Sequence, residues 1–301
     1  MPKKWDRADG GVIPMKWEFS LVLGPLGPVT EGPIWDGEGL FFTHIPSNRI
    51  FKYDPSSGRH IVWRENTNGA NGLMLDADGR LYACEGRGHR VVRYEADGSI
   101  TVIADQYEGK RLNSPNDLAI DNLGRVWFTD PRYGPYRDDM ELEHESVYRM
   151  DPESEGSWSI HRVTFDTSRP NGLLISPDQK TLYVAEFNSD PGQRRELRAY
   201  PITDDGSLEP CSVFYDFAPY YGIDGMCLDS EGNIIAPAGA RDAGPGPMIY
   251  VFSPAGELLE SHPVPEDRST NCTFGDPDLG TLYITTMGGH LIRAKTGRHG
   301  L

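Results

Sequence analysis

One short pattern recurs six times along the 301-residue chain and leaves few folds open. Two strand-like runs flank a tight acidic or glycine-containing turn at residues 34–42, 73–82, 118–128, 173–184, 226–235 and 273–284. The turns read Asp36-Gly37-Glu38-Gly39, Asp76-Ala77-Asp78-Gly79, Asp121-Asn122-Leu123-Gly124, Ser176-Pro177-Asp178, Asp229-Ser230-Glu231-Gly232 and Asp276-Pro277-Asp278. Each unit carries a second strand pair further on, opening at 49–53, 90–94, 146–150, 196–200, 248–252 and 290–294. Four short strands in each repeat of this length define a propeller blade. No long amphipathic helical pattern competes with this reading, and a pair of β-sandwiches shows no six-fold recurrence. The expectation is one all-β domain, a six-bladed β-propeller with four-stranded blades around a central channel. The blades fall roughly at 31–70, 71–115, 116–170, 171–223, 224–270 and 271–301. A ring must close to protect its sheet edges, and little sequence follows Lys295. The alternating segment 17–23 is therefore expected to supply the outer strand of the last blade.

Composition narrows the function classes. Lys and Arg number 29 against 45 Asp and Glu, a formal charge of −16. Such a surface excludes a nucleic-acid partner, which needs clustered cations, and docking on anionic lipid. No apolar run reaches the length of a membrane span. Residues 1–10 contain no apolar leader segment, so the expected location is cytoplasmic. The four cysteines, Cys84, Cys211, Cys227 and Cys272, form no C-x-x-C pair and read as free thiols. No G-x-S-x-G, Walker A, H-E-x-x-H or complete G-x-G-x-x-G pattern occurs.

The residue entering each inner strand is Glu31, Asn71, Asn116, Asn171, Asp224 or Asn271, at spacings of 40, 45, 55, 53 and 47 residues. In a propeller these positions share one face and converge on the axis. Asn and Asp also favour turns for local reasons, but here all six carry a side-chain oxygen acceptor. Two are acids, which desolvation at a channel mouth penalises without a cation. Oxygen donors in a ring suit Ca²⁺, with Mg²⁺, Mn²⁺ or Zn²⁺ as the alternatives. A second tier closes the next strand of the first four units: His44, Glu85, Asp130 and Glu186. These read as outer ligand-supporting groups, general bases or plain strand ends.

The segments Glu31-Gly32-Pro33-Ile34-Trp35, Asn68-Gly69-Ala70-Asn71-Gly72-Leu73, the stretch from Asn113-Ser114-Pro115-Asn116-Asp117 to Trp127-Phe128-Thr129-Asp130-Pro131, Arg169-Pro170-Asn171-Gly172 and Ile223-Asp224-Gly225-Met226 together resemble the senescence marker protein/regucalcin and gluconolactonase family, bacterial gluconolactonase type. The resemblance runs from about residue 20 to 295. It implies a divalent-metal-dependent lactonase acting on a sugar lactone. Glu31, Asn171 and Asp224 become direct metal ligands, Asn116 a metal or substrate position, and Asp224 the candidate for proton transfer. Asp130 is the second candidate base. Asn71, Asn116, His44, Tyr133 and Tyr221 are the candidate substrate contacts. His44 stands where relatives often have Asp, and the loop 131–145, with Tyr133, Tyr136 and Arg137, reads as a wall over the site. The alternatives are a phosphotriesterase-type hydrolase and a non-catalytic propeller with a structural ion and a protein-binding rim. A monomer and a homodimer both fit.

Overall fold

A computed structural model describes residues 17–134, 137–188, 190 and 192–301. The readings of residues 1–10 and of Tyr136 lie outside the described residues. Six four-stranded antiparallel sheets follow one another along the chain as the blades of a β-propeller. Their innermost strands are Thr30–Trp35, Ala70–Leu75, Leu118–Ile120, Pro170–Ile175, Cys227–Leu228 and Ser269–Gly275. The last sheet takes its outer strand from the other end of the chain: Glu18–Leu23 pairs antiparallel with Leu291–Lys295. No described helix is long and apolar enough to cross a membrane.

The recurring acidic turns have a local cause. An Asp at the head of the turn folds its carboxylate back onto the turn's own N–H groups. Asp36 Oδ1 accepts from Glu38 N and Gly39 N at 3.0 and 2.7 Å. Asp76 takes Asp78 N and Arg80 N, Asp121 takes Leu123 N and Arg125 N, and Asp229 takes Glu231 N and Asn233 N, all between 2.8 and 3.0 Å.

The core lies between the blades. Phe128 and Tyr148 of the third sheet pack with Tyr82, Cys84 and Val91 of the second. On its other face Trp127 meets Leu173, Leu182 and Val184 of the fourth. Fully burying one such side chain contributes about 1.5–3 kcal/mol. Repeated at each junction, this packing makes the blades stiff neighbours and fixes the heights of their inner strands.

Candidate active site

At the top of the inner strands every blade is tied to the next by a hydrogen bond to a ring backbone. Thr43 Oγ1 donates to Asn71 O (3.1 Å), Gly72 N to Asn116 O (2.8 Å) and Thr129 Oγ1 to Asn171 O (2.7 Å). Gly172 N donates to Asp224 O (2.9 Å), Gly225 N to Thr270 O (2.6 Å) and Thr270 Oγ1 to Thr30 O (2.7 Å). These links run through all six junctions. They explain the glycine that follows most ring residues. Gly32 has φ +49°, and a Cβ there would strike the Asn71 carbonyl; a Cβ at Gly225 would strike the Asn271 carboxamide.

The ring draws Glu31, Asn171, Asp224 and Asn271 into one buried cluster. Glu31 is 5% exposed and Oε2 accepts the Gly32 N–H at 2.7 Å. Burial holds its carboxyl well above the ordinary range, and the Asp224 and Asp117 charges push the same way. Burial likewise pushes Asp224 up to about 7, against a hydrogen bond from Asn171 and with the Asp117 charge adding to the rise. Asn171 Nδ2 donates to the Tyr133 hydroxyl at 2.9 Å, and that hydroxyl donates to Phe187 O at 3.2 Å. Tyr133 thus stands directly against the cluster, its ring beneath the Arg169 guanidinium at 5.7 Å. Tyr221 lies on another side. Its ring meets Phe187 edge-on at 4.6 Å and carries Arg268 at 5.7 Å over its face. Burial and the Asp224 charge raise the phenols of both tyrosines.

The six ring positions are not equivalent, which corrects the reading of one uniform oxygen ring. Asn271 Oδ1 accepts its own strand's Cys272 N–H at 2.8 Å, so its oxygen is engaged locally. Asn71 and Asn116 are half-buried and sit toward the more open side. Asp117 joins the cluster instead. It approaches Asn271 Nδ2 at 3.5 Å, Oδ1 accepts the Leu118 N–H at 2.9 Å, and burial pushes it up to about 7. Sequence reasoning missed it, although a signal existed: Asp117 occupies the place where four other units carry glycine.

Two candidates lie elsewhere. His44 sets Nδ1 against Ser47 Oγ at 2.6 Å and its ring against Phe51, on the side of Gly27. Its backbone pairs with Thr30, whereas Thr43 is the residue opposite Glu31. Asp130 is fully buried, and its two carboxylate oxygens accept the N–H groups of Asn113 and Ser114, both at 2.8 Å. That engagement ties Asp130 to the loop leading to Asn116, with both carboxylate oxygens occupied by N–H donors. Glu186 does the same in the next blade, taking Ser168 N and Arg169 N at 3.0 and 2.8 Å ahead of Asn171. Glu85 holds Asn68 Nδ2, Tyr94 Oη and Arg90.

The donor set fits a hard divalent cation. Burial raises the proton affinity of three carboxyls, Glu31, Asp117 and Asp224; the Asp224 and Asp117 charges add to the rise at Glu31 and the Asp117 charge to that at Asp224, and among the described residues no ion pair supplies them a positive partner. Among those residues no three His, Cys, Asp or Glu side chains are grouped so that they alone could hold a metal ion. Any ion therefore relies on amide oxygen as well, which suits calcium-type oxygen coordination and not zinc.

Residues 29–288 match the family model described as the SMP-30/Gluconolactonase/LRE-like region. A gluconolactonase of Zymomonas mobilis is 30% identical over 300 residues, covering 90% of this chain and 79% of that protein. The pentonolactonase XacC of Haloferax volcanii is 30% identical over 268 residues, covering 86% and 81%. A solved gluconolactonase structure from Xanthomonas campestris superimposes with a TM-score of 0.79 at 32% identity, over 93% of this chain and 89% of that one.

Proposed function

The chain belongs to the SMP-30/gluconolactonase/LRE-like family, and from that premise we propose that it is a lactone-hydrolysing enzyme that opens a sugar lactone with the help of one divalent cation, Ca²⁺ by preference. The observation that carries the reading is the cluster of Glu31, Asn171 and Asp224, whose buried acids have no positive partner among the described residues.

Glu31, Asn171 and Asp224 would hold the cation, with Asn116 beside them, and the cation would supply Lewis-acid polarisation of the lactone carbonyl. The protein's own groups do the rest. Asp224 accepts the proton of the attacking water. Tyr133 fixes the Asn171 amide through its 2.9 Å hydrogen bond, so the amide keeps one orientation throughout. The half-buried Asn71 and Asn116 meet the hydroxyl groups of the sugar ring. Tyr133 and Tyr221 wall the site and reduce the water around the reacting carbonyl, which strengthens the polar contacts inside. The engaged carboxylate of Asp130 holds residues 113–114 and, through them, Asn116.

A panel of aldonolactones and phosphotriesters, assayed with and without chelator, tests this reading. Lactone opening that disappears on chelation and returns with Ca²⁺ is the expected result. Lactone opening indifferent to chelation contradicts the role of the cation. Turnover of phosphotriesters alone moves the assignment to another hydrolase, and no turnover at all favours a binding propeller.

A further inference from the structure

Beneath the cluster the inner strands enclose a cavity of about 320 Å³ that runs from Asp117 and Asn271 to Gly300 and Leu301. Its wall is mostly aliphatic, including Leu73, Met74 and Leu173. Two thiols interrupt that wall. Cys227 begins the inner strand of the fifth blade, and Cys272 lies in the inner strand of the sixth. Their Sγ atoms stand 3.5 Å apart, although 45 residues separate them in the chain. Cys227 is half-buried, whereas Cys272 is 2% exposed and has its Sγ 3.4 Å from Ile235 O. The other two cysteines have different surroundings. Cys84 is fully buried in the core between blades, and Cys211 lies beside Asp166.

We propose that Cys227 and Cys272 form a dithiol modification site, which a small neutral peroxide reaching the cavity converts into a disulfide joining the fifth and sixth blades. The two sulfurs belong to different sheets, so drawing them from 3.5 Å to the ~2 Å of a disulfide breaks no strand pairing. Cys227, the more open sulfur, attacks one peroxide oxygen. The O–O bond breaks, hydroxide leaves and takes up the thiol proton as water, and Cys227 becomes the sulfenic acid. The Cys272 sulfur then attacks the Cys227 sulfur. The S–S bond forms, the S–O bond breaks, and the departing hydroxyl takes the Cys272 proton as a second water. Two thiols lose two electrons in all, and one hydrogen peroxide gains them. The apolar wall admits a small uncharged oxidant and disfavours a large anionic thiol such as glutathione. The inference stands apart from the lactonase reading, since neither sulfur has a part in the proposed reaction.

The test uses the reduced full-length chain, freed of reductant and exposed to hydrogen peroxide. Remaining thiols are alkylated after denaturation, and the peptides are mapped without reduction. The expected product is a linked peptide pair carrying Cys227 and Cys272, with Cys84 and Cys211 alkylated. In Cys272→Ser the expected product is a dimedone-trapped sulfenic acid at Cys227. Failure of that variant to fold leaves the wild-type map as the deciding result. Four alkylated cysteines after exposure, sulfinic or sulfonic acids without a linked pair, or a disulfide joining any other pair would overturn the proposal.

Discussion

Two sets of buried acids belong to the inner hairpins of this propeller, and they differ in how far the protein satisfies them. Glu85, Asp130 and Glu186 close the second strands of their blades, and each is fully or almost fully buried. Each also finds its donors within the protein: Asn68, Tyr94 and Arg90 for Glu85, two loop N–H groups for Asp130, and Ser168 with Arg169 for Glu186. Glu31, Asp117 and Asp224 lie at or beside the starts of inner strands, each accepts hydrogen bonds from Gly32, Leu118, Asn171 or Asn271, and none has a cationic partner among the described residues. A buried charge without a partner is costly. The hydrogen bonds from Gly32, Leu118 and Asn171 satisfy the axial acids only in part, and the proposed cation would supply the missing positive charge. On the proposed reading, the first set positions the loops and the second receives the ligand.

Substitutions that cross this divide have effects of different kinds. Asp224→Asn keeps the shape of the side chain and removes the base. Lactone turnover is expected to fall by roughly 10²–10⁴-fold, the usual contribution of a positioned general base, while the circular dichroism spectrum stays unchanged. Turnover within a few-fold of wild type would remove Asp224 from the chemistry. An unfolded variant would place it with the positioning acids.

Burial in both sets creates a pH dependence. Asp117, Asp130 and Asp224 are pushed up to about 7 in the folded chain, well above an unfolded Asp near 4. Between those limits the folded state binds more protons than the unfolded one, so stability falls as pH rises, by up to about 1.4 kcal/mol per pH unit for each such group. The urea midpoint of chelated protein is therefore expected to be higher at pH 5 than at pH 7.5. Ca²⁺ is expected to raise the midpoint more at pH 7.5, because the ion competes with protons for Glu31 and Asp224. A midpoint that climbs with pH in chelator would contradict the raised proton affinity of these buried acids.

Asp130→Asn gives the smallest effect. One carboxylate oxygen becomes an amide NH2 group facing an N–H donor, so one of the two loop hydrogen bonds is lost. The expected cost is about 1 kcal/mol of stability, read as a lower urea midpoint. The accompanying kinetic signature is a raised KM with nearly unchanged kcat, because the loop carrying Asn116 loosens while Asp224 stays in place. A large loss of kcat with KM unchanged would instead return Asp130 to the chemistry.

The fold was legible because its punctuation is local. Four of the five Asp-headed turns organise their own N–H groups, so the hairpins repeat visibly along the chain. The convergence of Glu31, Asn171 and Asp224 was legible because every inner strand begins on the same face. Other features depend on tertiary geometry and left weaker traces. Asn116 and Asp117 both precede an inner strand that starts only at Leu118, and the twist of that entry decides which side chain meets Asn271. The role of Asp130 depends on a loop 16 and 17 residues upstream folding back over it. His44 fills the position equivalent to those acids, yet its ring turns to Ser47 and Phe51, a choice that its neighbours in sequence do not announce. The closeness of Cys227 and Cys272 comes from the packing of the fifth blade's inner strand beside that of the sixth.

Calorimetric titration of chelated protein with Ca²⁺, run in parallel on wild type, Glu31→Gln and Glu186→Gln, tests the distinction most directly. One ion binding to wild type, lost in Glu31→Gln and retained in Glu186→Gln, is the predicted result. No binding to wild type, or equal binding by all three proteins, would contradict it.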